Sequence, residues 1–198
     1  MTSPSTSTSE LDDADAIREE VQRTIQQLAK LAQTERNFGL FCQETLDRVT
    51  KITGAHGALF WQISRQGRPK LTHLAGQAPH DHAREILSPE NEQHTDAVLD
   101  VVSQQKPLGV DSESFAPREF GDDATSESDR AASAFLMLFS PVFDSEKNCC
   151  GAVELIQRGD ITPEAQAGYL NFLGEIAINF QRWHQLQAAQ EPLPQTDV

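Results

Sequence analysis

Apolar residues in this chain either recur at helical spacing or gather in short runs of strand length, and the changes between the two patterns mark out the elements. Across residues 11–53 they fall three and four apart. Ile17, Val21, Leu28, Leu31 and Phe38 alternate with Gln, Arg and Glu, the spacing of one helical face. Gly39 is expected to break this run into a leading helix and a second one carrying Phe41, Leu46, Val49 and Ile52. Gly54 then ends the second helix, because glycine accepts the left-handed backbone beyond a last turn. GALFWQIS (57–64) reads as a strand, RQGRP as a turn and KLTHLAG (70–76) as the returning strand. Ser88-Pro89-Glu90 supplies a cap, a first helical position and a favourable acid. The helix it predicts carries Ala97, Val98, Val101 and Val102, ends near Gln105, and leads into a short strand at 107–111.

From residue 134 the pattern becomes two apolar runs of strand length. AFLMLFSPVF and CCGAVELIQRGD flank the polar turn DSEKN. The first run, rich in Phe, Leu and Val, predicts a strand buried on both faces. Pro141 lies near its end, where a missing amide is tolerated. Thr162-Pro163-Glu164 opens a last helix whose stripe is Leu170, Leu173, Ala177, Phe180 and Trp183. Helix, two strands, helix, strand, loop, two strands and helix together predict an α+β fold, an antiparallel sheet with helices on one face.

The 198 residues suffice for one domain with tails. Residues 1–10, rich in Ser and Thr, read as a disordered tail. Residues 11–37 form the leading helix, 38–187 the domain and 188–198 a proline-containing tail or linker. Between 112 and 133 runs an acidic connection, with Phe115, Pro117 and Phe120 able to pin part of it. It reads as a functionally silent acidic loop or as a lid over a pocket.

Charge narrows the partners. Thirty acidic residues against sixteen basic ones give a net charge of −14. No basic stripe is present to bind phosphates, so nucleic acid is not an expected partner. No run approaches the roughly 18 apolar residues of a membrane span, and the N-terminus lacks a signal-peptide layout. A cytoplasmic protein without membrane insertion is expected. Cys42, Cys149 and Cys150 make an odd set without a CxxC pair. They read as small core hydrophobes, the adjacent pair pointing to opposite strand faces, with a reactive pair as the alternative.

The segment FSPVFDSEKNCCGAVELIQRGD, with Pro141 and Gly151 in the recognisable positions, resembles the last hairpin of GAF domains. VTKITGAHGALFWQISRQGRPKLTHLAGQ resembles that family's opening helix and first hairpin, and VVSQQKPLGV its helix-to-third-strand step. The resemblance covers about Phe38 to Trp183. It implies a six-stranded antiparallel sheet, N- and C-terminal helices packed on one face, room for a small-molecule pocket on the other, and a homodimer through the terminal helices. It also implies a non-enzymatic sensory or regulatory module, with no cofactor that can be named. The alternatives are a thiol-based redox enzyme of the methionine sulfoxide reductase kind and a pocketless protein-interaction scaffold.

Departures from the family sharpen this. Cyclic-nucleotide members carry Asn-Lys, Phe and Asp-Glu where this chain has Gln157-Arg158, Ile161 and Glu164-Ala165. Bilin-binding members attach chromophore to a Cys often followed by His, and no Cys-His pair exists here. Free methionine sulfoxide reductases use cysteines on a pocket loop, whereas these lie in a helix and at a strand start.

Trp61, His73, Phe135, Met137 and Glu154 are the candidate ligand-binding residues. Glu154, a carboxylate inside an apolar strand, must be paired, exposed at an edge or bound to something. Phe135, Met137 and Phe139 share one strand face and Leu136 and Leu138 the other, and alternation alone leaves open which face meets the helices. His80-Asp81-His82 could supply two metal ligands but has no legible third, so no metal site is assigned. His94 stands isolated and reads as a hydrogen-bonded structural residue. The spacing of Ala14, Ile17, Val21, Leu28 and Leu31 approximates a heptad seam interrupted by Thr24, either a dimer element or a helix packed on its own sheet.

Overall fold

A computed structural model describes residues 7–76, 91–111 and 135–190. The His80-Asp81-His82 cluster, the Ser88-Pro89 helix start, the acidic connection 112–133 and the tail 191–198 lie outside these residues. Helices α1 (Ser7–Thr34) and α2 (Phe38–Thr53) come first. The break between them falls at Asn37 instead of Gly39. Asn37 has extended backbone and its Oδ1 accepts the Leu40 N–H at 3.1 Å, satisfying one of the donors that a helix start leaves orphaned. Gly39 therefore sits inside the first turn. Helix α1 opens at Ser7, within the stretch expected to be disordered.

Strands β1 (Gly57–Ile63), β2 (Pro69–Gly76), β3 (Leu108–Asp111), β4 (Phe135–Phe143) and β5 (Cys149–Arg158) form one sheet in the order β2-β1-β5-β4-β3. Every pairing is antiparallel. Among the described residues the sheet has five strands, where the resemblance implied six. Helix α3 (Glu92–Gln104) precedes β3, and α4 (Pro163–Ala188) follows β5. Asn91 caps α3, a residue type that serves as well as the serine read for that role.

The period-two alternation of β4 and β5 divides the interior in two. Leu136, Leu138, Val142, Val153 and Leu155 face a core shared with Leu28 and Ala32 of α1, Phe41, Leu46 and Val49 of α2, and Leu173, Ile176 and Phe180 of α4. Met137, Phe139, Ala152 and Ile156 face the other way, onto Ala97, Val98 and Val101 of α3. Truncating any fully buried leucine here, Leu138 for example, removes about 2–5 kcal/mol. Stacked rings of Phe60 and Phe180, 4.8 Å apart and 11° from parallel, join β1 to α4. The Trp183 indole N–H donates to Glu35 O at 2.9 Å and joins α4 to the end of α1.

Two local devices shape β5, one against β1 and one at its hairpin with β4. A Cβ at Gly151 would lie 2.3 Å from Trp61 O, so only glycine lets β5 approach β1 this closely. At the β4–β5 hairpin the Asp144 carboxylate accepts the Glu146 and Asn148 N–H groups at 2.8 and 2.9 Å. Val142 pairs with Gly151 and Phe143 with Cys149, leaving Cys150 as the extra residue of a β-bulge. Cys150 packs against the helix-side core and its Sγ donates to Val142 O at 3.5 Å.

Candidate functional site

Three polar side chains meet inside the apolar layer between the sheet and α3. Trp61 comes from β1. Glu154 lies on the neighbouring β5, diagonally placed because Trp61 pairs with Ala152 in the register. His94 comes from the first turn of α3, whose start is pinned by Asn91 Oδ1 accepting the Gln93 and His94 N–H groups at 3.0 and 3.4 Å. None of the three is more than 1% exposed.

The indole N–H of Trp61 donates to Glu154 Oε2 at 2.6 Å. His94 Nε2 lies 3.1 Å from Oε1 and 3.0 Å from Oε2 of the same carboxylate. An ionised carboxylate is purely an acceptor and an indole purely a donor, so the indole bond has one direction. His94 meets the carboxylate through Nε2 alone, within hydrogen-bond distance of both oxygens. Away from water such a pair holds only when its lone pairs are satisfied, and here both oxygens are engaged. The Trp61 and His94 rings meet edge-on at 4.9 Å. Leu59, Met137, Phe139, Ala152, Ile156 and Val98 complete the apolar wall.

Of the five candidates, Trp61, Glu154 and Met137 share this layer, with Phe135 half-buried at its rim. His73 lies on the other face, its ring 6.0 Å from that of Phe38 on the helix side. Burial lowers its imidazole below the ordinary range. It joins neither Glu154 nor Trp61. His94 completes the cluster although its sequence position reads as isolated. Its signal was its place on the buried stripe of α3, three, four and seven residues before Ala97, Val98 and Val101.

The cysteines lie outside this layer. Cys42 is fully buried in the helix-side core, where desolvation pushes its thiol far up. Cys149 and Cys150 are half-buried at the hairpin. Among the described residues no three His, Cys, Asp or Glu side chains cluster so as to hold a metal ion. Chemically, the Glu154 centre can accept hydrogen bonds from a cationic or N–H-bearing group. No cysteine stands within it to act as a nucleophile.

No protein-family model and no curated protein matches the sequence. Solved structures do match the fold. The GAF domain of A. aeolicus NLH2 in an inactive state superimposes with a TM-score of 0.61 at 10% identity, over 86% of this chain and 99% of that one. A free methionine-R-sulfoxide reductase from Neisseria meningitidis, solved with its substrate, gives 0.57 at 10% identity over 85% and 90%. A protein described as a GAF sensor from Burkholderia vietnamiensis gives 0.54 at 10% identity over 89% and 94%. Sensors and an enzyme thus share this architecture, and the chain carries a GAF-fold domain.

Proposed function

We propose that this chain is a non-enzymatic sensory or regulatory module. It binds a small molecule on the α3 side of its sheet and passes its state through the terminal helices to a partner or attached domain. The observation that carries this reading is the buried Glu154 carboxylate, held by Trp61 and His94 under a helix on the face opposite α1 and α4. A ligand with a cationic or N–H donor group would take the place of the His94 imidazole at Glu154 and move α3. Consecutive residues carry the effect across the sheet: Trp61 faces Glu154, while Phe60 stacks on Phe180 of α4. Binding shifts the helices only if the ligand prefers one of two arrangements.

Exposed aliphatic side chains on the outer helices support a homodimer formed through them: Ile17 on α1 is 65% exposed and Ile178 on α4 is 47% exposed. Light scattering on the full chain and on an Ile17→Glu, Ile178→Glu variant tests this part. A dimeric mass for the first and a monomeric mass for the second supports it, and a monomeric mass for both removes it.

The likeness to the Neisseria reductase favours a second reading, thiol-dependent reduction of methionine sulfoxide. The placement of Cys42, Cys149 and Cys150 away from the Glu154 layer weighs against it. Native mass spectrometry after incubation with a small-molecule extract separates the two. Sensing predicts a retained mass in the wild type that is lost in Glu154→Leu, with no turnover of free methionine sulfoxide. Turnover abolished by replacing the cysteines would establish the enzyme instead.

A further inference from the structure

At the opposite end of β5 from Arg158, a second group of reactive side chains converges, and nothing in the Glu154 site uses it. The bulge at the β4–β5 hairpin leaves Cys150 unpaired beside Cys149, which pairs with Phe143. Cys150 Sγ donates to Val142 O at 3.5 Å, and Cys149 Sγ donates to Gly151 O at 3.5 Å. His184, from the last turns of α4, places Nε2 3.8 Å from Cys150 Sγ. Its imidazole is flanked by the rings of Phe38 and Trp183, 5.6 and 5.3 Å away. Asp144, in the adjoining turn, lies close enough for its charge to act on His184.

We propose that Cys149 and Cys150 form a reversible dithiol–disulfide site for small hydroperoxides, with His184 as the base that serves Cys150.

The chemistry balances with a peroxide as the only oxidant. His184 takes the Cys150 proton as the sulfur attacks a peroxide oxygen. The O–O bond breaks, and the departing hydroxide takes that proton to leave as water (as an alcohol for an organic peroxide). Cys149 then attacks the sulfenic sulfur of Cys150. The S–O bond breaks, hydroxide leaves with the Cys149 proton as a second water, and an S–S bond forms. Two thiols are oxidised and one peroxide is reduced.

Burial pushes the Cys150 thiol up to about 12 and raises Cys149 as well, so the resting pair is protonated and unreactive without a base. Burial also holds His184 below the usual imidazole range, against the opposing charge of Asp144, which keeps it neutral and able to accept a proton. A thiol of high pKa is the stronger nucleophile once its proton is removed, and its reduced form gains no thiolate stabilisation. Adjacent Cα atoms are about 3.8 Å apart, below the roughly 4.4–6.8 Å usual for disulfides. The bond is therefore strained and readily reduced again, as a switch requires. The unpaired bulge residue gives the backbone room to adopt it.

The test treats the full chain with hydrogen peroxide, alkylates the free thiols under denaturing conditions and maps them by mass spectrometry. Loss of two hydrogens confined to Cys149 and Cys150, reversed by dithiothreitol, with Cys42 still alkylated, is expected. His184→Ala should slow the reaction on the order of a hundredfold. Cys149→Ser, which spares the α4 contact, should trap a sulfenic acid on Cys150 that a dimedone probe labels. Both cysteines remaining alkylatable after peroxide, or oxidation at the same rate without His184, would overturn the proposal. So would the absence of dimedone labelling in Cys149→Ser.

Discussion

Trp61 and Glu154 are joined by a 2.6 Å hydrogen bond across two strands, in a layer where neither is more than 1% exposed. The bond holds the carboxylate on the α3 side, and His94 completes it from the helix above. The arrangement costs stability if any one member is removed.

Replacing Trp61 by Phe keeps the ring but deletes the donor, so Glu154 retains only His94. Loss of a hydrogen bond to a charged group costs about 1.5–3 kcal/mol. Glu154→Ala leaves both the indole N–H and the imidazole buried without their acceptor and is expected to cost about 3–5 kcal/mol. Urea unfolding of the three proteins measures this. Equal midpoints for wild type and Glu154→Ala would mean that the carboxylate contributes nothing.

Gly151→Ala sets a Cβ against Trp61 O, a backbone atom that cannot rotate away. Strands β1 and β5 must separate, at a cost of about 1–3 kcal/mol, and the Trp61–Glu154 bond should lengthen with them. A shift in Trp61 emission relative to the wild type, in a Trp183→Phe background, reports the change. Unaltered stability and emission would mean that the two strands leave room for a methyl group.

Acid should weaken the fold in two stages. Burial holds His184 and His73 below the ordinary imidazole value of 6.5. A base lowered on folding binds its proton more readily in the unfolded chain. Its contribution is therefore whole above 6.5 and is lost as pH falls through the folded-state value. Asp144 behaves differently: slight burial pushes its carboxyl up, but hydrogen bonds from Asn148 and Glu146 and the nearby His184 bring it below 3.8. Its contribution persists above 3.8 and is lost only at lower pH. Stability should thus be level above pH 7, fall below 6.5 and fall again under 4. His184→Gln should flatten the first decline. Stability that rises between pH 7 and pH 5 would contradict this.

Much of this architecture was legible because periodicity is set by backbone geometry. The stripe from Leu170 to Trp183 packs as one helical face, and alternate residues of β4 separate into two layers. Alternation has no sign, however, so Met137 and Leu138 could not be assigned to the α3 or the helix side without the packed layers. Phe60 and His73 face each other across the hairpin, which puts His73 opposite the Glu154 layer. Thr72 is the extra residue at a register shift there, a local feature without a composition cue. Glu154 announced itself as a carboxylate needing a partner. The partner lay sixty residues away on α3, and a single chain carries no mark linking the two. The bulge at Cys150 was hidden for a similar reason: it depends on pairing with Val142 and Phe143.

Hydrogen exchange on the protein before and after loading with the molecule it retains tests the sensing claim most directly. Altered protection in α3 and in β5 around Glu154, accompanied by a change in α4 near Phe180, is the expected result. Unchanged exchange across residues 92–104 and 152–156 in the loaded protein would contradict it.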